Sequence, residues 1–307
     1  MDTKQTLRKK KYASKPIDKF SAIKPWLILP FGFRTSKAAF GLITTVLKDF
    51  FFLQHLQRLH ITHRSVIFVD TKLDDDIPFI PEKVTTYLSF VKFFIQPMSM
   101  LIKRLGYKKA APYLNSFIST LSTMYSNAAS IYRFCMTTTH RPKKCANRRF
   151  RMIYITDPHL LCVPSLHVTL AAGTYIWFKN LFAQNIFQEE EQQFRINELY
   201  QKAIAITESV LFVKQHSVNC IPIALYMLSS SFGPAFFTIE EAVHFMSDLY
   251  KNSPEIPESK KKEITEYFQF MYETTLLENN YNDRWQDCIK KWLVNFAKST
   301  GQTIKMN

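Results

Sequence analysis

Hydrophobic positions in this chain gather into long uncharged blocks separated by short charged stretches. Three blocks carry no formal charge: Ala110 to Tyr132, Pro158 to Phe178, and Gln215 to Ile239. The first is long enough to cross a bilayer as a helix, and its many Ser, Thr and Asn residues suit packing against other helices. Pro222 and Pro234 break the third. Upstream, Val84 to Leu101 predicts a helix with Lys92 as its one charge and a kink at Pro97. Ala38 to Leu56 is apolar and aromatic but is interrupted by Lys48-Asp49. It reads as an interfacial or core helix, or as a span only where those charges face protein.

The polar stretches set the boundaries. Residues 1–25 are basic and punctuated by Pro16 and Pro25, as in a cytoplasmic tail. Residues 133–157 read as a basic loop, and Gln188 to Lys202, with Glu189-Glu190-Glu191, as a solvent-exposed segment. After Glu240 the pattern becomes charged, amphipathic and helical, with a joint at Ser253-Pro254-Glu255-Ile256-Pro257. Trp285, Ile289, Trp292, Leu293 and Phe296 recur at helical spacing, the signature of a core stripe or, less commonly, of interfacial membrane contact. The expected fold is therefore all-α. It divides into a basic tail (1–35), a helical membrane domain crossing the bilayer several times (36–239), and an amphipathic helical extension (240–307). The rival reading is a soluble helical protein, since mean hydropathy is −0.12.

Composition narrows the function. Glycine is scarce, 6 in 307 residues, which argues against a Gly-rich nucleotide-binding fold. The net charge of +15 favours nucleic acid, anionic lipid or phosphate-bearing substrates. No zinc pattern, recognition helix or basic-aromatic striping speaks for nucleic acid. Instead Arg8-Lys9-Lys10-Lys11, Lys143-Lys144 and Arg148-Arg149-Phe150-Arg151 flank the apolar blocks, where juxtamembrane positive charge belongs, with the N-terminus on the cytoplasmic side. Cys135, Cys145, Cys162, Cys220 and Cys288 are odd in number and lack C-x-x-C spacing, so neither a disulfide framework nor a zinc site is expected. No apolar h-region follows the basic N-terminus, so a cleaved signal peptide is not expected.

Candidate chemistry lies at the rims of the blocks. His167 stands in Pro164-Ser165-Leu166-His167, and His216 in Val213-Lys214-Gln215-His216-Ser217. Facing one pocket, two imidazoles supply an acid and a nucleophile for phosphoryl transfer; the plainer alternative is two hydrogen-bonded histidines among packed helices. His55, His60 and His63 lack a nearby carboxylate and read as surface groups, Asp74-Asp75-Asp76 as a solvated turn, and Ser209 lacks the setting of a serine nucleophile.

Arg141-Pro142, Pro164-Ser165-Leu166-His167 and Ser209 through His216 come in the order of three motifs, K-x6-R-P, P-S-G-H and S-R-x5-H-x3-D. Together they resemble the type-2 phosphatidic acid phosphatase and vanadium haloperoxidase superfamily over about residues 65–240. The closest likeness is to its membrane-bound lipid phosphatases and phosphotransferases. The resemblance implies a helical bundle and a metal-independent reaction on a lipid phosphate, with no cofactor. It implies His216 as the nucleophile forming a phosphohistidine and His167 as the general acid. Arg141, Ser165, the backbone N–H of Leu166, and Ser209 would bind the phosphate, and Lys214 is a candidate to restore a missing cation. The departures are Phe134 at the lysine position with Arg133 one residue early, Val210 at the arginine position and Cys220 at the orienting aspartate. Losing that aspartate is expected to cost on the order of 10⁴-fold. The alternative function is accordingly a catalytically degenerate membrane protein of the same fold that binds anionic lipid or serves a structural role.

Overall fold

A computed structural model describes residues 11–142, 147–282 and 284–305. Helix accounts for 67% of the chain and strand for almost none, so the all-α class holds. The first helices are α1 (Lys24–Ile28), α2 (Ser36–Val46) and α3 (Leu53–Arg58), the last two joined by a wide π turn at Leu47–Phe52. That turn accommodates the charged interruption. Asp49 is buried, pairs with Arg133 and accepts from Ser126 at 3.0 Å, while Lys48 stays exposed.

After strand β1 (Val66–Phe68) come α4 (Val84–Leu88), α5 (Phe90–Leu105) and α6 (Tyr107–Tyr132). Gly106, at φ +81°, makes the tight corner between α5 and α6. Pro97 lies within α5, which continues past it to Leu105. Strand β2 (Met136–Thr138) then pairs in parallel with β1, in register Val66 to Met136. It is followed by α7 (Arg148–Thr156), α8 (Leu166–Phe182), α9 (Glu189–Phe212) and α10 (Cys220–Phe232). The last three helices are α11 (Ile239–Asp248), α12 (Glu258–Asn279) and α13 (Trp285–Ser299).

Helix α8 is the axis of the molecule. Ser165 caps it, and its residues are buried on nearly every face, which its uncharged sequence permits. It packs against α5, α6, α9 and α10. The C-terminal helices complete the core: α10 is covered by α12 and α13, and Ile289 and Leu293 are fully buried, so the aromatic stripe of α13 is core.

Several expectations need correction. Among the described residues no helix is long and apolar enough to cross a membrane, so a multi-pass domain is not supported. Helix α6 opens with Lys108-Lys109, and α8, of 17 residues, rises roughly 25 Å, short of the ~30 Å apolar thickness of a bilayer. The third block holds a turn and then only the 13 residues of α10. The basic loop at 133–157 contains β2 and α7; its Lys143-Lys144 lie outside the described residues, as do Arg8 to Lys10. The N-terminal tail is anchored, with Ile17 and Phe20 buried.

The polar segment at Gln188 to Lys202 faces solvent along one side only, where Glu189, Glu190, Gln193, Asn197 and Lys202 are exposed. Within α9, Glu191, Gln192 and Arg195 are buried. Arg195 donates to the carbonyls of Tyr12, Ala13 and Lys15 and pairs with Glu198 at 2.8 Å, while Glu191 pairs with Arg104. The buried charges are satisfied by the carbonyls of the N-terminal strap, by Glu198 and by Arg104 of α5.

Candidate active site

The start of α8 and the loop before α10 meet at two imidazoles. The Ser165 backbone N–H donates to the Cys220 carbonyl at 3.4 Å, joining the two helix starts. From the loop, His216 reaches the first turn of α8, where its Nε2 lies 3.4 Å from Nδ1 of His167 and 3.3 Å from Oγ of Ser165. The ring centroids are 5.5 Å apart. The small parallel sheet fixes the approach. Thr137 of β2 accepts from Cys162 N–H through its carbonyl and from Val163 N–H through its hydroxyl, at 3.2 and 2.7 Å, which holds the strand leading into Ser165.

The tautomer of His216 follows from its other nitrogen. Nδ1 lies 3.2 Å from the Cys162 carbonyl, and a carbonyl only accepts, so Nδ1 carries the hydrogen. Nε2 then presents a lone pair toward Ser165 and His167. Burial pushes the His216 pKa down to about 4, against the opposing Cys162 carbonyl and with help from the Arg141 charge, so the ring is neutral near pH 7. A backbone carbonyl thus orients the His216 ring without supplying negative charge. Cys220 instead accepts from the Ser217 N–H through sulfur at 3.3 Å. Asn219 donates to the Val69 carbonyl and accepts from Tyr267, so it does not orient His216.

His167 sits in an aromatic clamp, with Tyr87 stacked and Phe90 tilted on it, both at 4.2 Å. Burial, then the neighbouring His216, lower its pKa well below the usual value. Its Nε2 has no hydrogen-bond partner among the described residues, and the residue lines an apolar cavity of about 400 Å³.

The other expected groups do not all join the pair. Ser165 and Leu166 stand at the site, the former within hydrogen-bond reach and the latter also lining the cavity. Arg141 touches neither imidazole. It pairs with Asp157 at 2.8 Å, lies over the Tyr154 ring and borders a separate polar cleft with Arg58 and His60. Ser209 is turned into its own helix, donating to the Ile206 carbonyl. Lys214 donates to the Asp74 carbonyl, its hydrogen drawn off by a loop 140 residues upstream. Arg133 is committed to Asp49, and Val210 is wholly buried in the core.

Compared with protein-family models, curated proteins and solved structures, the chain has no match in any of the three.

Two residues at this site escaped the sequence reading. Asp74 is no solvated turn residue: its carboxylate accepts from Ser217 Oγ and Val218 N–H, each at 2.8 Å, and pins the loop that carries His216. Its signal was the Thr71-x-x-Asp74 capping box. His159 is a third buried imidazole, 2.8 Å from the Thr139 hydroxyl, and burial followed by the charges of Arg141 and His216 lowers its pKa strongly. Its left-handed backbone, φ +60°, leaves no mark on the sequence beyond Asp157-Pro158-His159. Among the described residues no cluster of three His, Cys, Asp or Glu is arranged to hold a metal ion.

Proposed function

We propose that this chain is a metal-independent phosphatase or phosphotransferase acting on a lipid phosphate ester. The observation that carries the reading is the contact of two neutral imidazoles from separate segments at a helix N-terminus, beside an apolar cavity. Nε2 of His216, with its lone pair oriented by the Cys162 carbonyl, attacks phosphorus. The first backbone N–H groups of α8 and the Ser165 hydroxyl supply donors to the phosphoryl oxygens. An arriving phosphate anion favours the protonated form of a nearby imidazole, so His167 gains its proton with the ester in place. It passes that proton to the leaving alcohol, then takes one from the water or alcohol that resolves the phosphohistidine.

A specific observation favours a second reading, a catalytically silent lipid-binding relative. The two candidate phosphate-binding cations are engaged elsewhere, Arg141, which the resemblance assigns, by Asp157 and Lys214 by the Asp74 carbonyl. One experiment separates the two: phosphate release from dioctanoyl phosphatidic acid by the wild type, His216→Ala, His167→Ala and Asp157→Asn. Loss of either imidazole is expected to slow release by ~100-fold or more. Equal rates in wild type and His216→Ala remove the enzymatic reading. A rise in Asp157→Asn above a near-zero wild-type rate supports a site silenced by the Arg141–Asp157 pair.

A further inference from the structure

The cavity beside His167 and the surface in front of it belong to one device. Its walls include Val46, Phe50, Phe94 and Leu121, and Trp26, Tyr125 and His167 also line it. At about 400 Å³ it has room for on the order of a dozen groups of water or methylene size, at about 30 Å³ each. Trp26, Leu47, Phe51 and Val91 line it and are also exposed at 42%, 43%, 43% and 39%. The cavity therefore opens through the surface they form.

That surface is unusually apolar for one facing water. In the same N-terminal helices and their connections, Leu27 is 66%, Phe31 80%, Phe33 99%, Phe40 53%, Phe52 58% and Leu59 67% exposed. Phe40, Leu47 and Phe51 follow i, i+7, i+11 spacing, one stripe of the continuous helical run. Among these side chains stand the exposed cations Arg34, Lys37, Lys48 and Arg58. Within residues 23–61 the one carboxylate is Asp49, buried in its ion pair with Arg133. Aromatic and aliphatic side chains mixed with uncompensated Lys and Arg are the composition of a segment lying in the interface of an anionic bilayer. A second copy fits poorly, because a two-fold contact through this face sets the same four cations against themselves. Nor do residues 1–10, with Met1 and Leu7 as their hydrophobic members, have the means to cover it.

We infer that residues 24–59 seat the protein on an anionic lipid surface and that the cavity takes one alkyl chain of a lipid whose polar end lies at His167. The identity of that end as a phosphate ester rests on the function proposed above; the seat and the chain site do not.

The test uses the full chain and binding, not turnover. Calorimetric titration compares dodecyl phosphate with glycerol phosphate, on the wild type, His216→Ala, Val46→Trp and Val91→Trp. Co-sedimentation compares vesicles of phosphatidylcholine with vesicles containing a fifth phosphatidic acid, on the wild type and on Phe33→Asp/Phe40→Asp, two exposed positions whose change leaves the core intact. Dodecyl phosphate is expected to bind at least ~10-fold more tightly than glycerol phosphate, in His216→Ala as in the wild type, and either tryptophan variant to abolish that preference. The anionic vesicles are expected to retain the wild type and to release the double aspartate variant. Equal affinity for the two phosphates, or a preference that survives both tryptophans, overturns the chain site. Equal retention of the aspartate variant overturns the seat. So does a wild type that ignores vesicles but forms dimers in sedimentation, with Phe33→Asp/Phe40→Asp monomeric, since that assigns the face to a second copy. Chain-length preference without any phosphate release sinks the enzymatic reading alone.

Discussion

A single atom pair, Nδ1 of His216 and the Cys162 carbonyl, determines what the site can do, and it also makes the site pH-sensitive. The folded ring resists protonation down to about 4, whereas in the unfolded chain it accepts a proton near ~6.5. Between those values the unfolded state binds more protons, so stability rises with pH and is lost as pH falls. His159 and His167, also held neutral by burial, act in the same direction. From pH 7 to 4.5, His216 alone is expected to cost roughly 2–3 kcal/mol, an order-of-magnitude figure. Urea unfolding of wild type and His216→Gln at both pH values measures it; the variant should lose less stability over that interval, and parallel losses would show that the ring is not buried neutral. The two catalytic candidates were legible because an imidazole at the rim of an uncharged block is conspicuous. The partners that decide their behaviour were not. A backbone carbonyl has no sequence identity, and Asp157, which occupies Arg141, is an ordinary loop acid until the chain folds.

Elements were readable where one rule governed a whole stretch. The first uncharged block became α6 within a few residues of its predicted start, and the interrupted block at 38–56 became a helical run whose Asp49 faces protein and whose Lys48 faces out. Strands β1 and β2 were hidden because three residues carry no alternation to detect and their pairing spans 70 positions. Helix α9 misled for a different reason: buried charges look like solvated ones until their partners are known. Arg195, fully buried, satisfies three carbonyls of the N-terminal strap, and removing it strands those groups as well as Glu198. Arg195→Met is expected to destabilise by about 3 kcal/mol or more and to release the strap. Limited trypsin digestion should then cut first at Lys19, ahead of any site in α8 or α9. Cleavage no faster than in the wild type would mean that Ile17 and Phe20 hold the strap without the guanidinium.

At the scale of the molecule, the site lies where the ends of three regions meet: the segment entering α8, the loop entering α10, and the apolar N-terminal helices that wall the cavity. The uncharged blocks resembled membrane spans because a helix buried by protein on every side and one buried by lipid share the same composition. Here α8 and α10 are covered by other helices. The C-terminal region therefore matters more than an extension would. Ile221, Ile223, Leu225 and Leu228 of α10 are fully buried, and α12 and α13 pack on that helix. Tyr267 of α12 donates to Asn219 beside the His216 loop, and Gln302 pairs with both backbone groups of Phe68 in β1, at 2.8 and 2.9 Å. Each large apolar side chain uncovered on α10 forfeits about 2 kcal/mol, so the loss of several together is comparable to the whole 5–15 kcal/mol by which a folded domain is ordinarily stable. A chain ending at residue 239 is thus expected to be insoluble or to lack a cooperative thermal transition, while Tyr267→Phe keeps the transition and lowers its midpoint by a few degrees. Scanning calorimetry and the soluble yield of the three proteins decide the matter. A truncated chain that melts cooperatively at the full-length temperature would make residues 240–307 a separate unit and leave the His216 loop supported by Asp74 and the Cys162 carbonyl without Tyr267.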